Sequence, residues 1–268
     1  MVDDVSRREK TYRTEGVILR RSDFGEADRL LTMMTPHRGK IRGLAKGVRK
    51  PKSRKAGHVE LLMRTDFFLA VGRSLDIITQ AQVIEPYRAL REDIRRITYG
   101  YYFSELVDRF MGENEENLSV YQLLCRGLGW LCTTRDFMRT ARYFELHLLE
   151  SVGYRPQLQR CVRCDGGIES PPLFFSSSYG GVVCRRCGEN VTEVRSTSED
   201  VIGTLHLFQR ESYRTCLVQS IPRHVREGME AIMHRYVTYL LERQLKSIEY
   251  LKVLRSEMLA GLNLNPDP

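Results

Sequence analysis

The sequence predicts an α+β protein of several domains, and three observations predict it. Short runs of β-branched and aromatic residues between turn residues fill the first third, the apolar period becomes helical after Pro86, and two Cys-x-x-Cys pairs break the helical part. With 268 residues, 42% hydrophobic and 28% charged, the chain can bury a core and divide into domains.

Residues 12–20, 30–35, 40–44, 59–71 and 75–84 read as strands, punctuated by Asp23-Phe24-Gly25, His37-Arg38-Gly39, a basic stretch from Gly47 to Gly57, and Gly72-Arg73-Ser74. A flat sheet of that size leaves exposed edges, whereas a small closed barrel leaves none. The expectation for residues 1–84 is an OB-fold. Beyond Pro86, Leu90, Ile94, Ile97 and Tyr101 line one helical face, which Phe103, Leu106, Val107 and Phe110 widen, as in a helix central to its domain. Val120, Leu123, Leu124, Leu128 and Leu131 mark a second helix. Phe137, Ala141, Phe144, Leu148 and Val152 mark a third, stopped by Gly153 and Pro156. After the cysteine segment more helix follows, and Val225, Met229, Ile232, Tyr236 and Leu240 define a late one, with Ser220 as its cap and Pro222 in its first turn. The expected organisation is a barrel over 1–84, a helical domain over 85–156 and 196–268, and a cysteine-bearing insertion over 157–195, with the tail from Asn263 to Pro268 frayed.

The net charge of +8 is concentrated, since residues 1–80 hold 18 Lys and Arg against 10 Asp and Glu, while 81–268 hold 24 against 24. Segregated positive charge favours an anionic partner, nucleic acid or a membrane surface, on the first third. The longest apolar runs, such as Phe67-Phe68-Leu69-Ala70-Val71, fall far short of the roughly 20 residues that span a bilayer. Met1 to Lys10 lacks the apolar core of a secretory signal, so a cytoplasmic protein is expected.

Arg38, Lys40, Arg42, Lys46, Arg49, Lys50, Lys52, Arg54 and Lys55 place nine cations in eighteen residues without one carboxylate. Strand alternation puts Lys40 and Arg42 on one face, with 46–55 as an adjoining mobile loop, a geometry suited to a phosphate track across a barrel face. A solubilising loop is the bland alternative, weakened by the missing acids. Phe24, Phe67 and Phe68 are candidates either to stack on bases or to fill the core. On the third helix Arg135, Arg139 and Arg142 follow i, i+4, i+7 spacing opposite the apolar stripe, as an anion-reading face or as a merely solvated one.

The most specific local signal is Cys161-x2-Cys164-x19-Cys184-x2-Cys187, two knuckles whose four thiolates complete a tetrahedral shell. Zinc is the natural occupant, and four protein ligands leave no position for water, so the metal is expected to be structural. Gly166, Gly167 and Gly188 allow amides to turn toward sulfur, and Gly180-Gly181 reads as a hairpin tip. A redox pair would need a helix start in a βαβ context, which is missing. Seven cysteines, with Cys125, Cys132 and Cys216 apart, argue against a disulfide framework. A zinc deaminase needs His-x-Glu, but His147 meets Glu only at Glu150. His-Glu-x-x-His is absent, and Gly39-Lys40 lacks the glycine five residues earlier that a phosphate-binding loop requires. No enzyme active site is expected.

Residues 16–30, 39–53, 144–164 and 245–251, taken in order and spacing, together resemble the bacterial RecO family of recombination mediators and DNA-repair proteins. Gly16 to Leu19 with Gly25-Glu26 and Asp28-Arg29-Leu30 looks like its opening strands, and Gly39-Lys40 through Lys46, Gly47, Arg49, Pro51 and Ser53 like its basic segment. Phe144 to Leu149 with Gly153-Tyr154 and Pro156, then the first knuckle, is similar to its central stretch, and Leu245-Lys246-Ser247 with Tyr250-Leu251 resembles its C-terminal signature. The resemblance implies an OB-fold, a helical domain and a zinc-binding insertion. It also implies binding of single- and double-stranded DNA, annealing of complementary strands, and action with RecR to load RecA onto DNA coated by single-stranded-DNA-binding protein. RecF is a further candidate partner, a nucleoid association is expected, and the acidic C-terminal tail of the coating protein is assigned to Arg135, Arg139 and Arg142. The rival readings are a zinc-stabilised scaffold whose basic barrel meets an acidic protein, and a zinc hydrolase. Salt-dependent DNA affinity separates the first, and turnover lost on chelation the second.

Overall fold

The computed structural model describes residues 10–168, 171–189 and 194–241. Five strands come first: β1 (Thr11–Phe24), β2 (Asp28–Thr35), β3 (Gly39–Ala45), β4 (Arg64–Ala70) and β5 (Asp76–Glu85). They close into a barrel in the order β1-β2-β3-β5-β4, the OB-like arrangement that the run of short strands predicts. Every pairing is antiparallel except β3 with β5, which is parallel and matched at Gly43↔Asp76 and Leu44↔Ile77. Alternation sets the faces: on β3, Gly39, Ile41, Gly43 and Ala45 point inward, and Lys40, Arg42 and Leu44 outward. Ile18, Leu31, Met33, Ile41, Phe67, Leu69 and Ile78 fill the interior. Each such side chain contributes about 1.5–3 kcal/mol by leaving water.

The strand expected from residue 59 starts only at Arg64. Val59 and Leu62 are fully buried all the same, with Leu62 at φ 66° donating its amide to the Ile18 carbonyl at 2.9 Å. Their apolar character signalled burial, and the segment meets it outside a strand, with Val59 joining the barrel core and Leu62 and Met63 bonded to Ile18 of β1.

The chain forms two compact units, residues 1–88 with 106–125, and residues 89–105 with 126–268. In the first, residues 112–115 lie against β3. The Asn114 amide donates to the Lys40 carbonyl at 2.9 Å. Gly39, at φ 60°, comes so near Glu115 that a Cβ there would sit 1.9 Å from its carbonyl oxygen. Only glycine fits both the backbone and the space.

The helices are α1 (Ile94–Phe110), α2 (Leu118–Thr133), α3 (Phe137–Ser151), the single turn α4 (Arg185–Gly188), α5 (Glu199–Arg210), α6 (Tyr213–Val218) and α7 (Arg223–Leu241). In the second unit α3 is the centre, packed by α5, α6 and α7. Phe144 of α3 stacks on Phe103 with ring centroids 3.8 Å apart, and Gly127 of α2 makes room for both rings. Asp136 caps α3 by accepting the Arg139 amide. The helix ends as predicted, with Gly153 at φ 83° and amides of Gly153 and Tyr154 returning to the carbonyls of Glu150 and Leu149. Ser198 and Ser212 cap α5 and α6. Helix α7 opens two residues later than a Ser220 cap would set: Pro222, not Ser220, directly precedes it and its carbonyl accepts the Arg226 amide at 3.1 Å.

A small sheet of order β7-β6-β8 carries the cysteines, from β6 (Leu173–Ser176), β7 (Gly181–Val183) and β8 (Val194–Thr197), with Gly180 at φ 68° in the predicted hairpin tip. Gln157 exchanges backbone hydrogen bonds with Gly180 and Val182, and Tyr236 of α7 donates its hydroxyl to the Tyr154 carbonyl at 3.0 Å. Among the described residues no helix is long and apolar enough to cross a membrane. Leu245, Lys246, Ser247, Tyr250, Leu251, the tail from Asn263 and the first nine residues lie outside the described residues.

Candidate nucleic-acid interface and metal centre

The nine cations of residues 38–55 do not form one track. Lys40 ends 3.2 Å from the Asp108 carboxylate and also donates to the Asp108 carbonyl at 2.5 Å, its side chain only 12% exposed. Asp108 takes Arg20 as well, at 3.3 Å. Arg42 pairs with Glu113 at 3.0 Å and Arg49 with Asp23 at 3.5 Å. Lys55 donates to the Ile78 carbonyl at 3.0 Å, and burial pulls its pKa down. The absence of acids from the segment is therefore a property of the sequence and not of the space around it. Carboxylates arrive from the end of β1 and from residues 108–113 of the same unit.

What stays open is the loop. Lys46, Lys50, Lys52 and Arg54 are exposed and, among the described residues, have no carboxylate partner. A succession of turns holds them, with the Lys50 amide on the Gly47 carbonyl at 3.2 Å and the Ser53 amide on the Lys50 carbonyl at 2.9 Å. Asp28 accepts the Gly47 amide at 2.7 Å, and the Arg49 amide reaches the Ala27 carbonyl at 2.9 Å. These bonds tie the loop to the β1–β2 turn, where Phe24 is 49% exposed. Of the three phenylalanines that could stack on bases, Phe67 is core, Phe68 lies on the outer face of β4, and Phe24 is exposed at the end of β1. Arg38 lies over the ring of Tyr12, its guanidinium carbon 4.0 Å from the centroid.

The three arginines expected on the third helix do not share a face in solvent, and Arg135 precedes α3, which Asp136 caps. Arg135 is exposed, but Arg139 pairs with Asp136 at 2.9 Å and donates to the carbonyls of Leu217 and Gln219. Arg142 is buried in an ion pair with Glu145, which also accepts the Tyr102 hydroxyl at 2.5 Å. Burial pushes the Glu145 carboxyl up, and Arg142 and Tyr102 draw it back. Helices α5, α6 and α7 cover the side expected to be solvated. The acids at Asp136 and Glu145, each three residues from an arginine, were the overlooked signal of internal pairing.

The four cysteines converge. Their sulfurs all lie within 4.8 Å of one another, and Cys164 and Cys184 stand 3.8 Å apart. A tetrahedral zinc with Zn–S bonds near 2.3 Å has S···S edges of about 3.8 Å, so the spacing fits. Burial raises the Cys161 thiol, but amides of Cys184, Arg163 and Cys164 turn toward its sulfur and bring it down to about 6. Burial and the neighbouring thiols push Cys187 up to about 12. The expected glycine amides are not among those donors to Cys161; Gly166 contributes its carbonyl, accepting the Cys161 amide at 3.0 Å. Cys216, pushed up to about 11 by burial, and Cys125 stand outside the cluster.

Comparison with known proteins accounts for both halves of this architecture. The family model described as Recombination protein O N terminal matches residues 9–87, and that described as Recombination protein O C terminal matches residues 91–249. The chain belongs to the RecO family. Proteins named DNA repair protein RecO are similar over most of their length. That of Roseiflexus sp. (strain RS-1) is 38% identical over 248 residues, 92% of this chain and 87% of its own. That of Pelotomaculum thermopropionicum is 38% identical over 245 residues, 90% and 94% of the two chains. A Dehalococcoides mccartyi relative is 31% identical over 243 residues, 91% and 96%. Within the RecO frame the N-terminal match coincides with the barrel and its basic loop, and the C-terminal match takes in the helices and the four cysteines.

Proposed function

We infer from membership of the RecO family that this protein acts in DNA repair. We propose that this protein is a non-enzymatic recombination mediator that binds single- and double-stranded DNA and anneals complementary strands. With RecR, and with RecF as a further partner, it assists loading of RecA on DNA coated by single-stranded-DNA-binding protein. The observation that carries the DNA reading is the loop of Lys46, Lys50, Lys52 and Arg54, four exposed cations without carboxylate partners among the described residues, tied through its backbone to the turn that follows the exposed Phe24. Such a surface neutralises phosphates and stacks on a base without reading sequence. Two strands whose phosphates are neutralised repel less, so pairing proceeds without nucleotide hydrolysis.

Cys161, Cys164, Cys184 and Cys187 would hold a zinc ion, and with four sulfur ligands it would supply fold stability, not catalysis. Binding of the coating protein's tail remains part of the reading, but of Arg135, Arg139 and Arg142 only Arg135, just before α3, is exposed to meet it. Strand annealing with and without cognate single-stranded-DNA-binding protein tests the proposal. Annealing of coated strands in the absence of ATP supports it. Failure to bind or anneal naked strands at low salt overturns it.

A further inference from the structure

A cavity of about 230 Å³ opens on the first unit, lined by Tyr12, Arg38, Arg42 and Arg73 among others, with Asp76 and Glu113 at its wall. Its volume is below the roughly 300 Å³ at which drug-sized sites begin, so it accommodates one small group. The charges around it are unequally committed. Arg42 is paired with Glu113, and Lys40 with Asp108. Asp76 accepts the Tyr12 hydroxyl at 2.5 Å and the Gly72 amide at 3.1 Å. Arg38 and Arg73 are left, both exposed, and neither has a carboxylate partner among the described residues.

The two come from different turns, Arg38 between β2 and β3 and Arg73 between β4 and β5, yet line the same cavity. Arg38 is also positioned. It lies over Tyr12, whose hydroxyl donates to Asp76, and that bond enriches the ring in electron density and strengthens its hold on the guanidinium. Two arginines lining one small polar cavity are suited to clamp a tetrahedral oxyanion between them, because each guanidinium offers planar pairs of N–H donors.

We propose that this cavity is a phosphoryl-binding site in which Arg38 and Arg73 share a single phosphate, with Tyr12 and Asp76 as positioning residues. The proposal rests on the DNA-binding reading and names a contact within it. The phosphate comes from a strand terminus or from the internal backbone, and the two differ in charge: a monoester carries about −1.5 to −2 near pH 7, a diester −1.

The test is the salt dependence of oligonucleotide binding, followed by fluorescence anisotropy with 5′-phosphorylated and 5′-hydroxyl single strands. Counterion release counts phosphates neutralised, so two cations on one phosphate contribute about 0.7 to the slope of log K against log salt, not twice that. Arg38→Ala combined with Arg73→Ala should flatten the slope by about 0.7 in all, and either substitution alone by less, because the remaining arginine still meets the phosphate. Tyr12→Phe should weaken binding less than Arg38→Ala, without changing the fold by circular dichroism. Tighter binding of the phosphorylated strand, lost in the double variant, identifies a terminal phosphate as the source. Equal binding of both strands with the same shared flattening identifies the backbone. A flattening of about 1.4 in the double variant, or none, overturns the proposal while leaving DNA binding through the loop intact. No binding by the wild-type chain overturns the proposal and the DNA reading together.

Discussion

Replacing Lys46, Lys50, Lys52 and Arg54 together by alanine separates the open cations from those the fold has already neutralised. All four are exposed, and no carboxylate competes with a phosphate for them among the described residues. At about 0.7 per phosphate on single strands, four contacts give about 2.8 of the salt slope, and the clamp described above brings the total to about −3.5. If all nine cations of the segment met phosphates, the slope would instead approach about −6. The quadruple variant should therefore retain only a shallow slope near −0.7 and bind different sequences with similarly reduced affinity. Lys40→Ala is the matched control. Its ammonium is spent on Asp108, so the slope should stay unchanged. Stability should fall by about 1–3 kcal/mol, less than for a buried charge left alone because Asp108 keeps Arg20. Anisotropy titrations across a series of salt concentrations measure the slopes, and urea denaturation the stability. A steep slope surviving in the quadruple variant, or a flattened one in Lys40→Ala, would refute the assignment.

Metal analysis of protein purified under reducing, chelator-free conditions should return one zinc per chain, and serine at Cys161, Cys164, Cys184 or Cys187 should lower that content and raise protease sensitivity around residues 160–190 while the barrel stays folded; absence of zinc would refute the site. Gly127→Ala should cost about 1–3 kcal/mol, because the new methyl would lie 2.8 Å from the Phe144 ring, which is itself pinned by Phe103; an unchanged midpoint in urea would show that the stack yields freely. His147 sits half-buried with Nε2 3.1 Å from the Phe208 carbonyl, and burial lowers its pKa. Its contribution to stability is complete above the unfolded value of about 6.5 and is lost as pH falls through the lower folded value, since the unfolded chain takes up the proton first. His147→Gln should therefore lose less stability than wild type between pH 7.5 and 5.5, and equal losses would exclude this role.

The barrel strands, the three central helices and the cysteine cluster were legible in the sequence because each rests on a local rule: alternation, helical period or ligand spacing. The pairings of Lys40 and Arg42 were not, since Asp108 and Glu113 lie some seventy residues downstream and only the closed structure brings them to β3. Arg139 and Arg142 misled for a related reason. Period identifies an apolar face but does not reveal how many neighbours a helix will have, and α3 has them on nearly every side. Arg73, a lone cation in a turn, gave no signal at all until the turn was placed beside Arg38.

The barrel is joined unevenly around its circumference. Four of its seams are antiparallel, each matched over seven residues, but β3 and β5 meet over two. Parting that one joint leaves a continuous curved sheet of order β3-β2-β1-β4-β5 with every antiparallel hydrogen bond intact. So short a joint should act as a clasp, the last to close in assembly and the first to open in fluctuation, and the backbone amides of β3 and β5 near Gly43 and Asp76 should exchange with deuterium ahead of those in the long seams. Arg38 stands at the turn leading into β3, and Arg73 at the turn leading into β5. A ligand gripped by both would span the clasp, so DNA binding and barrel closure would reinforce each other, and exchange at these amides should slow when an oligonucleotide is bound.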